Sequence, residues 1–395
     1  MRTDFMFTSE SVTEGHPDKL CDRISDAIVD HFLQQDPFSE VVAECAVATG
    51  VVFIAARFAS KASVDIAEIA RSEILQSGYL EGDFNARDCT ILTNLAELPT
   101  SPLHSIDERE LSDEELDRLT VKHQATVFGF ACNQTSALMP APIWLAHKLA
   151  RRITAARLEK ELRYLLPDGK TQVGVEYRNR RPHRIHSIAL LASQESAELP
   201  DADTLREDLL EHVISPVFAH EEIKPDEKTR IYVNPDGPIV GGGPALHSGL
   251  TGRKTAIDTY GEYARHSGAA LSGKDPVRID RVGAYAARHA AKNVVAAGLA
   301  EECEIQLSYT IGQPGPVSIQ VETFGTGTVD EREITRRLTE HFDFRLGGIL
   351  RRYNLRHLPA QVKGGFYRKL AAYGQVGRMD IGLPWETTEA AELLR

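Results

Sequence analysis

The sequence predicts an α+β fold, and three stretches carry that reading. An amphipathic helix follows Gly15-His16-Pro17-Asp18, two β-rich runs come next, and a late Ala-rich helix precedes two strictly alternating segments.

In the first helix Leu20, Ile24, Ile28 and Phe32 recur at the helical period and so share one face. Pro17 suits its first turn, where a backbone N–H would have no partner anyway, and Asp36-Pro37 ends it. Residues 41–48 and 51–58, joined at Thr49-Gly50, read as a hairpin, and 64–75 as a helix. Further on, 143–162 reads as helix, and strands are expected near 172–177, 185–192 and 230–233. Residues 280–297 form an Ala-rich helix punctuated by Gly298; 303–311 and 317–322 then alternate apolar and polar, the pattern of half-buried strands. Strands on one face with helices on the other define α+β. Residues 97–120 are the poorest in core formers, although Ser112 and Glu115 make a capping-box pattern ahead of Leu116 and Leu119 that predicts a short helix. This stretch reads as a mobile connection or lid, with a passive linker as the alternative.

Composition narrows the function. The 395 residues are 42% hydrophobic and 26% charged, enough for two or three domains. No apolar run reaches the length of a membrane span, and the start lacks the basic-then-apolar pattern of a signal peptide. Five cysteines stand singly at 21, 45, 89, 132 and 303, without metal-ligand spacing, and are expected as reduced, buried filler in a cytoplasmic protein. A formal charge of −12 argues against a nucleic-acid surface, but basic residues can still converge locally on a polyanion.

Three glycine-containing clusters suggest where they converge. Glu14-Gly15-His16-Pro17-Asp18-Lys19 opens a helix, whose N-terminus favours anions, and Asp18 can hold a hard cation. Gly241-Gly242-Gly243-Pro244 precedes Gly249-Leu250-Thr251-Gly252-Arg253-Lys254, where glycines admit a phosphate and the basic pair neutralises it. Ser272-Gly273-Lys274-Asp275-Pro276, with Arg278 and Asp280, again offers cations beside a carboxylate. Singly these read as a turn, a loop and solvated surface. Together they describe a polyphosphate–Mg2+ pocket, reached without a Walker A loop or a Gly-x-Gly-x-x-Gly turn.

Phe7 to Lys19 closely resembles the opening of S-adenosylmethionine synthetases, as do Leu138-Met139-Pro140-Ala141-Pro142-Ile143, Gly249 to Lys254, and Ser272 to Pro276 running on to Ala284-Tyr285-Ala286-Ala287-Arg288. The similarity covers nearly the whole chain. It implies three similar α+β domains with pseudo-threefold symmetry, expected here as 1–100, a lid or connection at 101–119, 120–236 and 237–395. It also implies a homodimer or dimer of dimers with sites between subunits, two Mg2+ ions and a K+. The implied reaction is methionine adenosyltransfer (EC 2.5.1.6-like): a thioether sulfur displaces triphosphate from C5′ of ATP, and the triphosphate is cleaved to pyrophosphate and phosphate. Carried over by position, His16 stabilises the leaving O5′, Asp18 and Asp280 hold Mg2+, and Glu44 matches the K+ carboxylate. Lys170, Arg253, Lys254 and Lys274 clamp the triphosphate, and Asp168 and Ala270 lie at the ATP contact.

The acceptor half departs from the family pattern. His123 stands for the aspartate of Gly-Ala-Gly-Asp-Gln-Gly, His247 for the aspartate before Gly-Leu-Thr-Gly-Arg-Lys, and Arg57 for the glutamate that pairs with the methionine ammonium. Ile239 replaces the aromatic on adenine, Leu271 a phenylalanine, and Arg278 a lysine near the methionine carboxylate; the stretch around Glu97 lacks Gln-Ser-Pro-Asp. L-methionine is the default acceptor. The alternatives are a carboxylate-bearing thioether without a free ammonium, another nucleophile, or a catalytically silent regulatory paralogue.

Overall fold

The computed structural model describes residues 3–100 and 105–395; residues 101–104 of the expected connection lie outside the described residues. In chain order the elements are β1 (Phe5–Val12), α1 (Pro17–Gln35), β2 (Glu40–Ala48), β3 (Val51–Ala59), α2 (Ile66–Gln76) and β4 (Thr90–Glu97). Then come β5 (Ala125–Cys132), α3 (Ala141–Leu158), β6 (Leu165–Arg178), β7 (Arg181–Gln194), α4 (Ala202–Leu209), α5 (Ser215–Phe218) and β8 (Arg230–Val233). β9 (Ile239–Val240), β10 (Gly249–Leu250), α6 (Thr255–Asp258), α7 (Ile279–Ala296), β11 (Glu302–Tyr309), β12 (Ser318–Glu322), α8 (Glu331–His341) and α9 (Leu346–Tyr353) complete the main elements.

The strands form three sheets, ordered β1-β6-β7-β8 with β9 on β7, β10-β2-β3-β4, and β12-β11-β5. Each sheet carries one long helix: α3 lies on β6 and β1, α1 on β2, and α7 on β5 and β11. This threefold repetition of helix over sheet is the α+β architecture expected. The segments exchange strands, however. β1 joins the central sheet, β10 pairs with β2, and β5 pairs with β11, so no sheet is made from one stretch of sequence.

The hairpin forms as expected, with Thr49 at the turn in the left-handed region (φ 52°). The Ser112–Glu115 capping box is reciprocal, each backbone N–H donating to the other's side chain at 3.0 and 3.3 Å. It opens a single 3-10 turn, Glu115–Arg118, that buries Leu116. All five cysteines are free and buried. Among the described residues no helix is long and apolar enough to cross a membrane.

Candidate active site

The chain enters α1 from β1 through a turn in which His16 is the N-cap. The imidazole Nδ1 accepts the Asp18 backbone N–H at 3.2 Å, so the ring proton of the neutral form sits on Nε2. His16 is 2% exposed. Burial first, assisted by Lys170 and His247 and opposed by Asp168 and Asp18, lowers its pKa to about 3. The residue is a neutral N–H donor at a helix N-terminus.

Beside it, Asp168 Oδ2 accepts from Gly243 N–H at 2.9 Å and from His247 Nε2 at 2.7 Å, while the His247 ring meets the His16 ring edge-on at 5.0 Å. Burial pushes the Asp168 carboxyl up, but His247, His16 and Gly243 outweigh it and hold the group below its usual range. His16, Asp168 and His247 have the spacing of metal ligands. The His16 tautomer opposes a transition metal there: Nδ1 is occupied by an N–H, and Nε2 carries the proton that a metal would have to replace. A second such group, Asp107, Glu108 and His357, has each carboxylate beside an arginine, Arg109 at 2.6 Å and Arg356 at 3.1 Å.

The basic loops are docked by a ladder of carboxylates on α1. Asp18, Asp22, Asp26 and Asp30 recur every four residues and so share one stripe. Asp18 accepts Leu250 N–H at 3.0 Å and pairs with Lys254 at 2.9 Å and Arg253 at 3.7 Å. Asp22 takes Gly252 N–H at 2.8 Å; Asp26 takes Gly273 N–H at 2.8 Å and the buried Arg281 guanidinium; Asp30 takes Tyr367 and Arg368 N–H. The loops also pair with the free edge of β2, Leu250 opposite Ala46 and Lys274 opposite Val42. Gly249 and Gly252, expected as room for phosphate, are required by protein contacts. A Cβ at Gly249 would overlap the Pro17 carbonyl, and one at Gly252 (φ +80°) would overlap Ala270.

A second group gathers at the start of α7. Asp280 Oδ2 accepts from Lys274 Nζ at 2.9 Å and His123 Nε2 at 3.0 Å. Burial raises the Asp280 carboxyl, but these two partners hold it net below its usual range. Arg57 is opposite Val42 on the strand beyond, so it shares with Lys274 the outer face of the sheet, where Glu44 also lies. Neither Arg57 nor Glu44 has an ion-pair partner among the described residues. Arg278 caps α7 and approaches Asp275 at 3.9 Å. The predicted residues thus fall into two groups. His16, Asp18, Asp168, Lys170, His247, Arg253 and Lys254 surround the start of α1; Lys274 and His123 meet Asp280 at the start of α7. Arg57 lies across Val42 from Lys274, and Glu44 two positions further along β2, between the two groups on the sheet's outer face. Asp18 and Asp26 mark the two levels, about 12 Å apart at 1.5 Å per helical residue. Ile239, half-buried on the edge strand β9 opposite Ser193, stands behind the first group.

Sequence reading missed the ladder, because acids mixed with the apolar stripe of α1 look like an ordinary solvated face. The four-residue period of Asp18, Asp22, Asp26 and Asp30 was the available signal. It also missed Tyr79, whose hydroxyl donates to the Gly15 carbonyl at 2.5 Å and braces the turn before His16.

Residues 4–99, 118–239 and 241–387 match the N-terminal, central and C-terminal domains of S-adenosylmethionine synthetase. The chain is 49% identical, over its full length and 97% of the relative, to an S-adenosylmethionine synthase of Gloeothece citriformis, and 48% identical, with the same coverage, to one of Trichodesmium erythraeum. The S-adenosylmethionine synthase of Trichormus variabilis is 49% identical, again over 100% of this chain and 97% of its own length. The chain belongs to the S-adenosylmethionine synthetase family.

Proposed function

We propose that this chain is an adenosyltransferase in which a thioether sulfur, by default that of L-methionine, attacks C5′ of ATP. The sulfur lone pair forms the S–C5′ bond, the C5′–O5′ pair leaves with the triphosphate, and water then cleaves that to pyrophosphate and phosphate. The carrying observation is the neutral His16, which offers Nε2–H to the departing oxygen. A preoriented donor aimed at developing charge stabilises the transition state more than the ground state. Lys254, Arg253, Lys170 and Lys274 serve the phosphate oxygens, with Asp168 and Ala270 at the nucleotide. Ile239 offers the adenine an aliphatic surface in place of an aromatic one.

Family chemistry uses metal ions, and the donors fit Mg2+: Asp18 and Asp280 are carboxylates held ionised, the oxygen ligands a hard cation takes. Bound there, two Mg2+ ions supply charge neutralisation to the triphosphate. Glu44, exposed and unpaired among the described residues, is free to serve a K+ ion.

The two groups, roughly 12 Å apart, are read as halves of sites shared between two chains. In support, Leu250, Ala46, Phe53 and Leu92 form an apolar row across the outer face of one sheet, Phe53 43% and Leu92 51% exposed. Such a face marks an association surface, here that of a homodimer or a dimer of dimers. The buried, free cysteines support a cytoplasmic location.

Arg57 favours a second reading of the acceptor. A guanidinium without an ion-pair partner among the described residues repels an ammonium, so a thioether acid lacking the α-amino group is the alternative acceptor to methionine. Assay of the purified protein with ATP, Mg2+ and K+, offering L-methionine or its deaminated analogue, separates the two by relative kcat/KM. A silent regulatory subunit would show no turnover and no tripolyphosphatase activity.

A further inference from the structure

A cavity of about 390 Å3, within the range of small-molecule sites, lies between the outer face of α3 and the chain at 373–380. It shares no lining residue with the His16 group. Met139, Trp144, Val376 and Met379 give it an apolar wall, and Lys148, Arg151 and Arg378 a basic one.

The charges there do not balance. Lys148 is paired with Glu221, and Arg378 holds Asp380 with two hydrogen bonds of 2.8 Å. Arg151 is left with the same Asp380 at 3.2 Å, and its Nε is buried without a hydrogen-bond partner. The Arg151 side chain is 39% exposed, and its partial burial, and after it Arg378, lower its pKa. Burial and these same two cations also keep His147, on the cavity wall, neutral. Two guanidinium groups thus share one carboxylate against an apolar surface, which leaves one positive charge unmatched.

We propose that this cavity binds a small amphipathic monocarboxylate, its carboxylate on Arg151 and its apolar body against Trp144, Met139 and Val376. A bidentate guanidinium–carboxylate pair would satisfy Arg151 and supply the missing charge.

Calorimetric titration of the full-length protein at constant ionic strength, with benzoate, hexanoate and the neutral benzamide, tests this. The expected result is one saturable site for a carboxylate, with benzamide at least tenfold weaker. Arg151→Gln should weaken benzoate at least tenfold while the melting temperature holds, because the substitution also relieves a cation–cation contact. Met379→Asp, at a position 59% exposed, adds a competing carboxylate and should weaken benzoate similarly even if the Arg151 variant is unstable. Absence of a saturable site for both carboxylates, equal binding of benzamide, or undiminished binding by Arg151→Gln or Met379→Asp would overturn the proposal.

Discussion

His16 accepts the Asp18 backbone N–H on Nδ1 at 3.2 Å, and that one bond fixes the ring's other nitrogen as a donor. The start of α1 therefore sets the tautomer that leaving-group stabilisation needs. Removing a single such donor typically costs about 10^2–10^3 in kcat. His16→Asn, which keeps an amide donor on a shorter, differently directed side chain, is expected to lose at least tenfold in kcat, and His16→Ala the full range, with KM for ATP changed only severalfold. Steady-state kinetics of the two variants check this.

Because burial holds the His16 pKa near 3, the native ring stays neutral where an unfolded histidine, at 6.5, takes up a proton. The unfolded state binds more protons between those values, so stability is full above about pH 6.5 and falls as pH drops toward 3. Denaturant titrations from pH 7 to 4 should show a shallower loss for His16→Asn than for the parent. The parent's kcat should show no titration near 6.5 that the variant lacks.

The loops that carry Arg253, Lys254 and Lys274 are docked by the α1 ladder, together with Leu271 and Val277, which flank Lys274 and are buried in the core. One fully buried rung is the Asp26–Arg281 pair, with both side chains 0% exposed at 2.6 Å. Asp26→Ala strands a buried guanidinium and should cost about 3–5 kcal/mol. Asp26→Asn, which still accepts the Gly273 N–H, should cost less. Chemical denaturation of both variants tests the order.

Arg57 tests the acceptor side. If its charge excludes an ammonium, Arg57→Glu should raise kcat/KM for L-methionine and lower it for the deaminated thioether acid. Each change should be roughly tenfold, corresponding to about 1.4 kcal/mol. Parallel changes for the two substrates would remove Arg57 from acceptor selection.

Much of this molecule was legible in its sequence, for identifiable reasons. Leu20, Ile24, Ile28 and Phe32 announce α1 because one helical face meets the core, and the alternation around Ile305 and Leu307 announces β11 because one strand face does. β1 escaped because its inward positions include Ser9 and Ser11. Their hydroxyls are buried by bonding Gly261 O and His147 Nδ1, so the hydrophobic alternation is broken. β4 escaped because it is an edge strand with no fully buried side chain. The phosphate-type motifs were visible as local strings, whereas the exchange of β1, β5 and β10 between segments rests on pairings between residues more than a hundred positions apart. The His247–Asp168 and His123–Asp280 bonds are likewise long-range, and no local pattern marks them.

The most direct measurement is product analysis after incubation with ATP, Mg2+ and K+ in the presence of L-methionine or its deaminated analogue. The expected result is an S-adenosyl sulfonium formed in step with one equivalent each of pyrophosphate and phosphate. Formation of ADP, or no ATP consumption with either thioether, would contradict it.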